Sequence, residues 1–183
     1  MFDQFTTDPY SFDEVTSSPI TPVTPSQDVL RLGRLLPRSI YLGCASWNFP
    51  GWKGIVWGET SGVEDLTKRG LTAYCKHPVL RAVGIDWSFF GTLNEMSYAA
   101  MANQVDENFR FLIKAPQSVT DAVKRDPKGR FRSLNQDFLD LHAAMHEFVY
   151  PVINGLGENA GPLVFQLSPI PRPLLPTQAE CYS

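Results

Sequence analysis

After Arg38 the chain alternates short apolar runs with segments whose apolar residues recur at three- and four-residue spacing, the pattern of βα units feeding a parallel sheet. Four runs predict strands: Ile40 to Ala45, Ala82 to Asp86, Phe109 to Lys114 and Leu163 to Leu167. Their near-continuous apolar character predicts burial on both faces. Between the second and third, Thr92 and Glu95 form a T-x-x-E capping box, so a helix is expected from about Leu93 to Val105. Phe138, Leu141, His142, Met145, Phe148 and Val149 recur at i, i+3, i+4, i+7 and predict a helix with one buried face, which Pro151 should bend or end. The connection from Ser46 to Arg81 exceeds an ordinary βα loop, and only Leu66 to Cys75 within it reads as helical. Its first ten or so residues are the candidate functional loop.

Residues 1–28 break this pattern. They are rich in Thr, Ser, Pro and Asp, with Pro9, Pro19, Pro22 and Pro25 spaced against any helix or ladder, which predicts a disordered tail. Phe2, Phe5, Tyr10 and Phe12 are its few large apolar residues, material for a short docking motif. The expected organisation is an acidic Pro/Ser/Thr-rich tail over 1–38, a folded domain over 39–172 and an irregular C-terminal tail over 173–183.

Charge and cysteine content narrow the classes. Sixteen basic and 19 acidic residues give a net charge of −3, without the basic excess of a general nucleic-acid binder. Five acidic residues and no Lys or Arg lie within 1–28, so the folded part is nearly neutral. Cys44, Cys75 and Cys181 make no CxxC pair and leave an odd count, which argues against a disulfide framework and a zinc site and for a reducing, cytoplasmic setting. No run approaches the ~18 apolar residues of a membrane helix.

In a parallel α/β sheet, ligands gather at the carboxyl ends of the strands. That rule nominates Ser46, Trp47, Trp52 and Lys53 after the first strand, Asp86 and Trp87 at the second, Lys114 at the third, and Gln166 and Ser168 at the fourth. Asp86 and Lys114 end sequential strands, which are usually neighbours. They are the candidate acid and base, or an anion clamp; a structural ion pair is the equal alternative. Trp47, Phe49 and Trp52 surround a Pro-Gly turn beside Lys53, and flat rings next to an ammonium suit a sugar, base or nucleotide. Burial as core is the alternative for any one ring. Phe90 completes the candidate ligand-binding set of Trp47, Trp52, Lys53, Phe90 and Gln166.

His142 and His146 have metal-ligand spacing, but Ala143 stands where a zincin motif has Glu, and His142 falls on the apolar stripe, so no metal site is assigned. Lys124, Arg125, Lys128, Arg130 and Arg132 form a basic patch in a segment of Gly and Pro signals. It reads as a solvated loop, with contact to an anionic partner such as nucleic acid as the alternative. There is no Gly-rich phosphate motif and no nucleophile elbow, and no cofactor follows from the residues.

Four segments in order resemble one family. Gly43-Cys44-Ala45-Ser46-Trp47-Asn48-Phe49-Pro50-Gly51-Trp52-Lys53-Gly54, Val83 to Phe90, Phe109 to Pro116 and Gly161 to Pro169 are similar to motifs of the domain of unknown function 72 family, also called YecE-like. The resemblance covers Ile40 to about Arg172 and implies a TIM-barrel-like (β/α)8 fold. It implies no assigned activity. Gly84 stands where the family often has Glu and Asp86 where it often has Asn, which puts any role of that Glu in doubt. The later barrel strands have no counterpart after Pro171-Arg172, so a barrel truncated after about four βα units is expected, with open sheet edges that invite self-association. Three readings follow: a protein binding a small anionic or sugar-containing ligand at the strand rim, a nucleic-acid-binding module, or a truncated product without activity of its own.

Overall fold

The computed structural model describes residues 19–59 and 61–174. Its centre is a four-stranded parallel sheet in sequential spatial order, built from β1 (Leu42–Cys44), β2 (Leu80–Ile85), β3 (Arg110–Lys114) and a last strand, β6 (Ala160–Val164). A separate antiparallel hairpin pairs β4 (Val123–Arg125) with β5 (Phe131–Leu134). All four sequence-derived strands exist as a parallel set. The last sits three residues earlier than its apolar run suggests, because Ala160 and Gly161 pair before the larger side chains begin. Pro162, which lacks a ladder donor, falls where the β3–β6 register shifts.

Helices cover one face. α2 (Val63–Arg69) and α3 (Leu71–Tyr74) follow β1, α4 (Glu95–Ala102) follows β2, α5 (Gln117–Thr120) follows β3, and α6 (Leu141–Ala144) and α7 (Tyr150–Leu156) precede β6. Between them lies a core of Trp47, Leu66, Tyr74, Val83, Ile85 and Phe111, each at most 1% exposed. α4 and α7 pack closely because Gly155 presents no Cβ; one placed there would come within 2.5 Å of the Glu95 carbonyl oxygen. Burial on both faces does not follow. In β3, Phe111 and Ile113 are fully buried whereas Leu112 between them is 38% exposed.

Three local expectations are corrected. The cap of α4 is Asn94, whose side chain accepts the Ser97 N–H at 2.8 Å, and not Thr92; Asn is the stronger capping residue and lies one residue before the helix. Pro151 does not end its helix. Helical backbone continues from α6 through a π segment, Met145–Val149, into α7, and the wider π turn just before Pro151 absorbs its missing donor. His142 is exposed rather than core and stacks on His146 with ring centroids 4.2 Å apart.

The disordered tail expected over 1–38 is corrected for residues 19–38. α1 (Gln27–Leu35) is capped by Ser26, Ile20 is buried, and Val23 N–H donates to the Val56 carbonyl at 2.9 Å. Arg81 at the start of β2 donates to the carbonyls of Gly33 and Pro37 at 2.8 and 2.9 Å, satisfying orphan acceptors at the end of α1. The four large apolar residues of the acidic segment lie outside the described residues, as do residues 175–183. Among the described residues no helix is long and apolar enough to cross a membrane.

Candidate functional site

The carboxyl ends of β2 and β3 meet at one polar cluster. In-register pairing of Ile85 with Ile113 brings the following residues, Asp86 and Lys114, to the same rim. The Lys114 ammonium lies 4.0 Å from Asp86 Oδ1, with the lysine side chain 21% exposed and the carboxylate 52% exposed. It also lies 5.1 Å from the centre of the Phe89 ring, a cation–π distance. Ser88, buried in the short 3-10 turn Trp87–Phe89, directs its hydroxyl to the carbonyls of Ile85 and Lys114 at 2.8 and 2.6 Å. That hydroxyl fixes the two strand ends relative to each other. Phe90, 68% exposed, packs edge-on against Phe89 at 5.3 Å. Gln166 is exposed two residues beyond β6.

The aromatic loop after β1 packs largely into the core. Trp47 is completely buried, its indole N–H donates to the Leu66 carbonyl at 3.0 Å, and Trp87 meets it edge-on at 4.8 Å. The proposed stacking role for Trp47 is therefore corrected: no ring face is open to a ligand, and a large apolar ring beside the helix layer gains more from burial than from solvent. Trp52 is half-buried among Phe49, Trp57 and Tyr74, with centroid separations of 5.7, 6.4 and 6.2 Å. Lys53 is exposed and belongs to the same turn, bridging to Trp57. Trp52 and Lys53 thus form part of a loop brace around Trp57.

The basic patch is a hairpin and not a loop. Asp126 Oδ1 accepts the N–H groups of Lys128 and Arg130, both at 2.9 Å, and Gly129 supplies φ of 78° at the turn, as Asp and Gly do in tight turns. Those hydrogen bonds, chiefly from Arg130, hold the Asp126 carboxyl below its ordinary range. Arg125 pairs with Asp121 at 3.0 Å, Lys124 with Asp137 at 3.7 Å and Arg130 with Asp126 at 2.7 Å. Three of the five cations thus have carboxylate partners, which lowers the pull on a polyanion. The sequence signal for the hairpin was the Asp-Pro-Lys-Gly run, masked by strands that lack apolar alternation.

A shallow cavity of about 240 Å³ lies at the opposite pole, lined by Cys75, His77, Leu80, Asp106, Asn108 and Phe109. It sits at the amino ends of β2 and β3, the pole where parallel α/β proteins seldom bind ligands. Among the described residues no group of three or more His, Cys, Asp or Glu side chains is placed to hold a metal.

A sequentially ordered parallel sheet with helices on one face and charged residues at its carboxyl rim defines an α/β protein. The chain belongs to the family described as protein of unknown function DUF72, whose pattern it matches over residues 41–178. Two solved structures of a DUF72 family protein from Enterococcus faecalis V583 are similar at 18% identity, one covering 70% of this chain and 39% of that chain with a TM-score of 0.48, the other 54% and 35% with 0.35. The chain thus spans less than half the length of that relative. No curated protein matches it.

Proposed function

We propose that this DUF72 protein binds a small anionic or sugar-containing ligand at the carboxyl rim of its sheet, with Asp86 and Lys114 as clamp or proton-transfer pair. The observation that carries the reading is the 4.0 Å separation of Lys114 Nζ from Asp86 Oδ1. It lies beyond hydrogen-bond length, so the two groups face each other while each keeps hydrogen-bonding capacity for a third group. Phe89 and Phe90 supply an apolar wall beside them, and Gln166 a neutral polar group beyond the next strand end. The rim position agrees with a TIM-barrel-like reading of the fold, in which strand ends carry the chemistry.

Titration with inorganic phosphate and with glucose 6-phosphate, read by ligand-detected NMR, tests this. Binding by the native chain should fall at least tenfold in Lys114→Ala while the far-UV spectrum stays unchanged. Equal binding by the variant removes Lys114 from the site and the reading with it.

A further inference from the structure

Two imidazoles on the helical run before β6 have no part in the ligand reading. His142 lies in α6 and His146 in the π segment Met145–Val149, and both are exposed, while Ala143 and Phe148 on the same run are buried. The two rings stand 4.2 Å apart with 31° between their planes, and the Tyr150 ring meets His146 edge-on at 5.1 Å. Neither ground against a metal at this spacing holds in the structure. His142 lies outside the core. The Glu of a zincin motif is the general base and not a ligand, so Ala143 in its place removes hydrolytic chemistry and leaves chelation intact. The pairing is also local: residues four apart on one helical run are neighbours through the backbone between them, whatever other segments surround the run.

We propose that His142 and His146 together chelate one divalent transition-metal ion of the class that prefers imidazole, Zn2+ or Cu2+. Two metal–nitrogen bonds of ~2.0–2.1 Å span at most ~4.2 Å, which matches the separation of the rings. A tetrahedral ion needs the two nitrogens somewhat closer, and a small turn of the exposed rings supplies that. Nitrogen donors select Zn2+ or Cu2+ over Mg2+ and Ca2+, which take oxygen. Two imidazoles fill half of a four-coordinate shell, and water completes it on the exposed side. Among the described residues no third His, Cys, Asp or Glu is placed to join them, so the site is an open one that keeps positions for an outside ligand. A bound ion ties α6 to the π segment, since one ligand stands on each. The inference does not depend on the ligand reading at the sheet rim.

Isothermal titration calorimetry of the 183-residue chain with zinc chloride should show one ion bound per chain. His142→Gln and His146→Gln should each weaken that binding at least tenfold with an unchanged far-UV spectrum. His77→Gln, in the cavity at the amino pole of the sheet, should leave it intact. A second measurement needs no substitution: zinc should shield His142 and His146, but not His77, from diethyl pyrocarbonate, as mapped by peptide mass spectrometry. Absence of zinc binding overturns the proposal. So does equal binding by the chain carrying both substitutions, or equal reactivity of His142 and His146 with and without zinc.

Discussion

Tyr74 stands on a short helix yet joins two strands, its hydroxyl accepting the Cys44 N–H and donating to the Ala82 carbonyl, both at 3.1 Å. Burial pushes the phenol above the ordinary tyrosine range, so it remains a neutral donor and acceptor under all ordinary conditions. Tyr74→Phe keeps the ring but leaves a backbone donor of the edge strand β1 unmatched, and should cost about 1–3 kcal/mol in urea unfolding. At this scale the sequence named the residue types that matter and misjudged some surroundings. Trp47 and His142 exchanged places, the candidate ligand wall becoming core and the expected core imidazole lying on the surface. Periodicity gives a helix face only to within a residue or so, and the π segment after α6 shifts it further.

Among the elements, the β4–β5 hairpin has the least support of its own: every residue of β5 is exposed, and a two-stranded hairpin alone is marginal in water. Its anchor is Asn135, buried, whose amide donates to the carbonyls of Ser118 and Asp121 at 2.6 and 2.8 Å. Asn135→Ala should raise amide hydrogen exchange across residues 123–134 at least tenfold while the strands of the parallel sheet keep their protection. If exchange rises equally everywhere, Asn135 supports the whole core and not the hairpin. Element type and order were legible for the parallel strands because apolar runs mark buried ladders. The hairpin and α1 were not, since one is built from polar residues around an Asp-Gly turn and the other is stabilised by Arg81, far away in sequence.

For the whole molecule, a single buried cluster runs from Ile20 near the described N-terminal end to Leu156 before β6, and a contiguous core of this kind unfolds as one unit. Near-UV circular dichroism from the buried Trp47 and Trp57 and far-UV signal from the helices should therefore be lost in one coincident thermal transition; separated midpoints would mean that the α1 segment and the sheet fold independently. The sequence by itself determined the α/β class, the order of four parallel strands, the family and the meeting of Asp86 with Lys114, because each follows from local apolar runs and from the rule that sequential βα strands lie side by side. Tertiary structure decided which aromatic rings are hidden, that residues 19–38 fold onto the core, and that carboxylates pair three of the five cations of the basic segment. Those outcomes depend on which surfaces meet at long range, and pairwise packing between distant segments leaves no local periodicity to read.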